Sequence, residues 1–232
     1  MLRSESLTRK FGSKTAVDHV TLSLEPGHVY AMLGPNGSGK TTWMKMAAGL
    51  MKPTSGAVYF REQPVGVESR KHIAYMSTEP YFYTWMTVGA AGKYYEDFFE
   101  DFSMNRYREL LAKVELTDDL KTRSLSSGMA AKLKIALTLA RDAQVYMLDE
   151  PFNGIDLLAR DQIRGCILEE AREDKLLILS SHLVEEMEAI ADRAVFIREG
   201  ELIECRDLEE MRETDGVSMA DRYREIYGHV EG

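Results

Sequence analysis

Residues 34–42 read GPNGSGKTT, and the pattern G-x-x-x-x-G-K-[ST] is met by Gly34, Gly39, Lys40 and Thr41. The apolar run VYAML enters the motif and a helical pattern leaves it, which is the context in which it binds phosphate. Glycine freedom lets such a backbone curl until successive N–H groups face one anion. The start of the following helix adds partial positive charge. The candidate phosphate contacts are therefore Gly34, Pro35, Asn36, Gly37, Ser38, Gly39, Lys40, Thr41 and Thr42. Lys40 would reach the outer phosphates, and the Thr41 hydroxyl would ligate Mg²⁺.

A second group lies far along the chain. Residues 145–150 read VYMLDE, four apolar residues ending in two carboxylates. Open α/β sheets bind ligands at the carboxyl ends of their strands. Asp149 would hold Mg²⁺, and Glu150 would take a proton from an attacking water as general base. A strand ending in acids is common, and the 115 residues between Gly34 and Asp149 leave their meeting to the fold.

The elements that would position these groups alternate. Candidate strands are 29–33, 57–60, 73–76, 145–148, 176–179 and 194–197, and several are continuous apolar runs, as in strands covered on both faces. Helical patterns run over 41–48, 128–141 and 157–172. This alternation predicts an α/β fold with a largely parallel sheet. Residues 81–124 break the pattern and hold ten of the 21 aromatics, between Tyr81 and Tyr107, so they read as a mostly helical insert. Tyr94, Tyr95, Phe98, Phe99 and Phe102 would share one helix face. The stretch from about 205 to 232 reads as short amphipathic helices with Met219, Tyr223, Ile226 and Tyr227 as a weak apolar face.

Composition narrows the function. The chain has 232 residues, 44% hydrophobic and 29% charged, with 29 basic and 38 acidic residues and a net charge of −9. These are globular values. Residues 198–232 carry eleven acids and five bases, and no segment supplies a basic face for nucleic acid, so no nucleic-acid partner is expected. Two cysteines, Cys166 and Cys205, suit a reduced cytoplasmic setting. No apolar run approaches the 18 residues of a membrane span, and the N-terminus lacks a secretory core. Any membrane role would pass through a partner.

Residues 125–129, LSSGM, open a helix 20 residues before VYMLDE. LSxG ahead of an apolar strand ending in DE, after a phosphate loop, resembles the nucleotide-binding domain of ATP-binding cassette (ABC) transporters, and the resemblance covers nearly the whole chain. It implies a P-loop NTPase core with an N-terminal antiparallel β subdomain and a helical insert. The divisions would be a catalytic core at about 1–80 and 125–205, a helical subdomain at 81–124, and the acidic tail from 205. It further implies a cytoplasmic ATPase subunit, peripheral on the membrane, that closes head to tail with a second ATP-binding subunit and docks on separate membrane-spanning subunits. In that family the positions of Ser126 and Gly128 meet the γ-phosphate held by the opposite subunit. Phe11 takes the place of an aromatic that stacks on adenine, Asp156 in NGID that of the D-loop acid, and His182 in LLILSSH that of the switch histidine. The bland alternatives are that Phe11 is an ordinary β-hairpin aromatic and, were LSSGM to stand without the other motifs, that Ser126 is only a helix N-cap. Thr78 stands where the family has a Mg²⁺-ligating glutamine, and its shorter reach puts direct ligation in doubt. Met129 replaces a common glutamine. LSSGM also resembles the cassettes of bacterial efflux and antimicrobial-peptide-responsive systems. The alternatives are an ATP-sensing module and a DNA-associated ATPase of the same family, the latter disfavoured by charge and by the lack of a long coiled-coil pattern.

Overall fold

The computed structural model describes residues 1–79 and 81–228, so the last four residues of the acidic tail lie outside the described residues. The chain opens with a hairpin, β1 (Leu2–Phe11) and β2 (Lys14–Leu24), turned at Gly12. Val17, Val20, Leu22 and Leu24 of β2 are buried, and the change of phase falls next to His19 at φ 49°. After β3 (His28–Leu33) and helix α1 (Lys40–Ala47) come β4 (Ser55–Phe60), β5 (Gln63–Pro64), α2 (Val67–Arg70) and β6 (Ile73–Met76). The insert holds α3 (Val88–Phe98) and α4 (Met104–Lys113), followed by α5 (Ser127–Leu139). Then β7 (Val145–Asp149), α6 (Leu157–Leu168), β8 (Leu176–Ser181), α7 (Val184–Glu188), β9 (Arg193–Arg198) and β10 (Glu201–Asp207) complete the strands. Helices α8 (Leu208–Glu210) and α9 (Met219–Tyr227) finish the described chain.

Two sheets result. One is antiparallel, in the order β2-β1-β4-β5, and the other runs β10-β9-β3-β8-β7-β6. In the second, β9, β3, β8, β7 and β6 are mutually parallel and β10 is antiparallel to β9. The fold is thus a P-loop NTPase-type α/β core with an N-terminal antiparallel sheet and a helical insert. Helix α1 lies in the core between the two sheets, where Trp43 is fully buried and its indole N–H donates to Ser4 Oγ at 3.3 Å. The other face of the parallel sheet packs on the insert, α5, α6, α7 and α9.

Several expectations are corrected. The strand at 57–60 belongs to the antiparallel sheet, where it pairs with β1. The helix expected over 157–172 stops at Leu168, because the Glu170 and Ala171 amides donate only three residues back, to the Ile167 and Leu168 carbonyls. The Glu170 carboxylate is drawn to Arg106 Nη2 at 2.9 Å. The five-residue aromatic face ends at Phe98, since Phe99 is extended and Phe102 bridges Arg141. Arg141 causes that change of path. Its buried guanidinium is bonded to Asp101, to the Ile73 carbonyl at 3.0 Å and to the Lys71 carbonyl at 2.9 Å, and lies over the Phe99 ring at 4.1 Å. Residues 205–207 are strand, not helix, and the apolar face of α9 docks on the core through Met219 and Ile226. Tyr227 Oη lies within bonding reach of the Ile197 and Leu33 carbonyls, at 2.9 and 3.1 Å, which seats α9 beside the end of β3.

Candidate functional site

The phosphate loop leaves the C-terminal end of β3, which lies between β8 and β9 at the point where crossovers diverge to either side. Its shape depends on two glycines. Gly34 has φ 155°, and a Cβ there would lie 2.3 Å from the Ile197 carbonyl. Gly39 has φ 112° at the head of α1, and a Cβ there would lie 2.4 Å from the Ala16 carbonyl. Lys40 is only 5% exposed. Its Nζ donates to the Gly34 carbonyl at 2.6 Å and the Pro35 carbonyl at 3.2 Å. Burial pulls its pKa below the usual lysine value, opposed by the charges of Glu150 and Asp149. Ser38 Oγ is buried without a hydrogen-bond partner, an orphan hydroxyl inside the loop. Such a group is costly unless a ligand or water completes it.

The carboxylates arrive through β7. Asp149 is fully buried. Its Oδ1 accepts from Thr41 Oγ1 at 3.0 Å and Ser180 Oγ at 2.5 Å, and its Oδ2 accepts from Tyr75 Oη at 3.2 Å. Burial and the nearby Asp149 charge raise the Tyr75 pKa, so the phenol remains a neutral donor. Glu150 leaves the strand at φ 51°, in the left-handed region that costs a non-glycine residue about 1 kcal/mol or more. Its amide is held by Ser180 Oγ at 3.0 Å and the Ser180 carbonyl at 3.2 Å. The strained turn aims the side chain: Oε2 lies 2.9 Å from His182 Nδ1, and Oε1 lies 3.8 Å from Lys40 Nζ.

Lys40, Glu150 and His182 open on one cavity of about 380 Å³. Phe11, Asn36, Gly37, Ser38, Gly39, Lys40, Thr41, Thr42, Thr78, Glu150 and His182 line it, together with Asn153. Phe11 is 45% exposed, and Arg9 lies over its ring at 4.6 Å. Among the expected site residues, Gly34, Pro35, Asp149, Ser126, Gly128 and Asp156 do not line this cavity. Ser126 is the N-cap of α5 and accepts from the Met129 amide at 3.2 Å. Asp156 is the N-cap of α6 and accepts from the Ala159 amide at 3.0 Å. A Cβ on Gly128 would lie 3.4 Å from the Gly154 carbonyl, so the segments bearing Ser126 and Asp156 touch within the chain.

The donor set suits a hard cation. Thr41 and Asp149 offer neighbouring oxygens at the foot of the phosphate loop. No group of three or more His, Cys, Asp or Glu that could hold a metal occurs among the described residues. A cation here would complete its shell with phosphate and water oxygens, the habit of Mg²⁺ beside phosphates. Four contributors escaped the sequence reading: Tyr75, Ser180, Asn153 and Lys134. Ser180 had a faint signal in the paired serines before His182. The buried Lys134, whose Nζ bonds the Ser77 and Thr78 carbonyls, had none, since it reads as a solvated helix lysine.

The ABC transporter family model matches residues 17–153. The lantibiotic transport ATP-binding protein SrtF of Streptococcus pyogenes is 32% identical over 205 residues, covering 88% of this chain and 89% of its own. The ABC transporter ATP-binding protein YtrB of Bacillus subtilis is 29% identical over 220 residues, covering 92% of this chain and 74% of its own. Among solved structures, an ATP-binding subunit of an ABC transporter superposes with a TM-score of 0.87 at 25% identity, covering 97% of this chain and 99% of its own. An ATP-binding cassette solved as a post-hydrolysis dimer with ADP and phosphate shares the fold, with a TM-score of 0.80 at 22% identity, over 90% of this chain and 99% of that one.

Proposed function

The chain belongs to the ABC transporter family and is an ATP-binding, ATP-hydrolysing subunit, and from that premise we propose how its residues divide the work. The phosphates of ATP lie along the loop from Gly34 to Thr42, with Lys40 on the outer phosphates, Phe11 against the adenine and the orphan Ser38 hydroxyl completed by the ligand. Thr41 and Asp149 would hold Mg²⁺, which would neutralise phosphate charge, and Thr78, which lines the same cavity, would act toward it through water. Glu150 accepts the proton of a water as its oxygen attacks the γ-phosphorus; the bond to the β-phosphate oxygen breaks and ADP leaves. His182 orients Glu150 and offers its other ring nitrogen to the γ-phosphate. The observation that carries this reading is the convergence of Lys40, Glu150 and His182 on one cavity at the end of β3.

A head-to-tail dimer completes each site. Ser126 and Gly128 lie outside the cavity of their own chain, which suits a role toward a nucleotide held by a second subunit. No helix of the described residues is long and apolar enough to cross a membrane. On the strength of its kinship with transport ATP-binding proteins, we propose that the chain docks on separate membrane-spanning subunits and works at the cytoplasmic face of the membrane. Its core at about 1–80 and 125–205 would carry the chemistry, and the insert at 81–124 the docking surface.

Glu150→Gln tests the assignment. The amide keeps the size of the side chain but loses the base, worth about 10²–10⁴ in rate. The variant is expected to bind ATP, hydrolyse it slowly and accumulate as an ATP-bound dimer in sedimentation. Turnover at the unmodified rate would remove Glu150 from the reaction.

A further inference from the structure

The residues that follow β6 are fastened to α5 mainly at Lys134. Lys134 is 8% exposed, and its Nζ donates to the Ser77 carbonyl at 2.9 Å and the Thr78 carbonyl at 2.8 Å. None of the ion pairs among the described residues includes it, so the ammonium is held by backbone dipoles. A buried ammonium is retained only where such bonds replace its hydration. The fastening is reciprocal. Tyr81 Oη donates to the Lys134 carbonyl at 3.2 Å, alongside Thr138 Oγ1 at 2.8 Å. Ser77 and Thr78 on one side and Tyr81 on the other are thus bonded to Lys134, and Tyr81 Oη also lies 3.2 Å from Thr138 Oγ1 one turn further along α5. Thr78 lines the main cavity and a second cavity of about 180 Å³ shared with Lys134, Asn153 and Glu150.

We infer that Lys134 is a positioning residue for the Glu150 site: its ammonium and its own carbonyl lock Ser77, Thr78 and Tyr81 onto α5, so that Thr78 follows the helix capped by Ser126. The inference rests on the hydrolytic reading of that site. Threonine reaches less far than the glutamine it replaces, so its contribution depends more steeply on where the backbone stands. The lock supplies that placement. It also ties the loop to Ser126, eight residues earlier on the same helix, about 12 Å along its axis at 1.5 Å per residue. A second subunit that shifts Ser126 therefore shifts Thr78.

The test compares the unmodified chain with Lys134→Met, Lys134→Arg, Tyr81→Phe and the Lys134→Met/Tyr81→Phe double variant. Lys134→Met replaces a buried ammonium with an apolar chain of similar length, a change that cores tolerate. Hydrogen exchange of the Ser77, Thr78, Glu79 and Tyr81 amides reports the lock without nucleotide. It is expected to quicken about tenfold in Lys134→Met, the effect of losing a charged hydrogen bond. With ATP, kcat is expected to fall about tenfold or more while ATP Kd stays within about twofold, as for a displaced positioning group. Lys134→Arg should recover most of both changes. The double variant should be little worse than Lys134→Met, since the two residues act as one unit. Exchange and kcat of Lys134→Met within about twofold of the unmodified chain, or no recovery by arginine, would overturn the inference. If the unmodified chain turned over no ATP, the hydrolytic reading would fail, while the exchange measurements would still decide whether the lock exists.

Discussion

His182 Nδ1 lies 2.9 Å from Glu150 Oε2, while the other oxygen of that carboxylate lies 3.8 Å from Lys40 Nζ. One carboxylate is therefore shared between an imidazole from the end of β8 and an ammonium from the head of α1. Its direction is set from both sides before a substrate arrives. Replacing His182 with alanine frees one side. The expected outcome is a fall in kcat of about 10²-fold with ATP affinity changed only a few-fold, because misdirecting a reacting group costs about that much. Steady-state turnover together with calorimetric ATP binding reads the split. An equal loss in both would make His182 a binding residue only.

Ser126 has two roles to separate, since its hydroxyl already caps α5. Aspartate is as good an N-cap as serine, so Ser126→Asp should leave thermal stability within about 0.5 kcal/mol. Its carboxylate would face the γ-phosphate of the opposing subunit. Monomer ATP binding should persist, and ATP-driven dimerisation and turnover should drop at least about tenfold, as expected for like charges brought together at an interface. Undiminished dimerisation in sedimentation would place the trans contact elsewhere.

The insert begins with Tyr81, Phe82 and Tyr83, of which the first two pack against the core and only Tyr83 is exposed. Tyr83 stacks on Trp85, which is 73% exposed, and meets Tyr94, which in turn meets Phe98. Phe98 borders an apolar groove of about 510 Å³ with Tyr95, Phe99, Leu50 and Val67. Contiguous exposed aromatics of this kind are where the docking surface proposed for the insert would lie. The double variant Tyr83→Ser/Trp85→Ser should remain folded and bind ATP normally. In cells that contain the membrane subunits, its recruitment to membranes and its transport should both decline. Full recruitment and transport would move the docking surface off these aromatics.

Gly92 tests the packing of the insert. It lies inside α3, where a Cβ would stand 2.3 Å from the Tyr107 ring. Tyr107 cannot yield easily: it is fully buried, and its Oη donates to the Val88 carbonyl at 2.8 Å. Alanine favours helix by about 1 kcal/mol over glycine, yet Gly92→Ala should lower stability by about 1–3 kcal/mol through overpacking. Denaturant unfolding measures the sign, and a stabilised variant would contradict the contact.

The residues that do chemistry by local shape were legible from their order along the chain. GPNGSGKTT carries its own geometry, because glycines at Gly34 and Gly39 permit turns that side chains would block, and a helix starts at Lys40 in either case. VYMLDE carries its own burial, since four apolar residues must enter a core and leave two carboxylates at its rim. What joins them is not local. Thr41 and Asp149 are 108 positions apart and meet only because β8 pairs with both β3 and β7. That pairing also delivers Ser180 to Asp149 and His182 to Glu150. Tyr75 belongs to the site because β6 pairs with β7, and Lys134 because α5 packs across the end of β6. Neither residue differs in type or spacing from an ordinary strand tyrosine or surface lysine. The end of the aromatic helix at Phe98 was likewise decided by Arg141, 40 residues from its partner Asp101. Side-chain order along the chain specifies which turns and helices can form; the order of strands in the sheet, set by packing over the whole core, specifies which of them face each other.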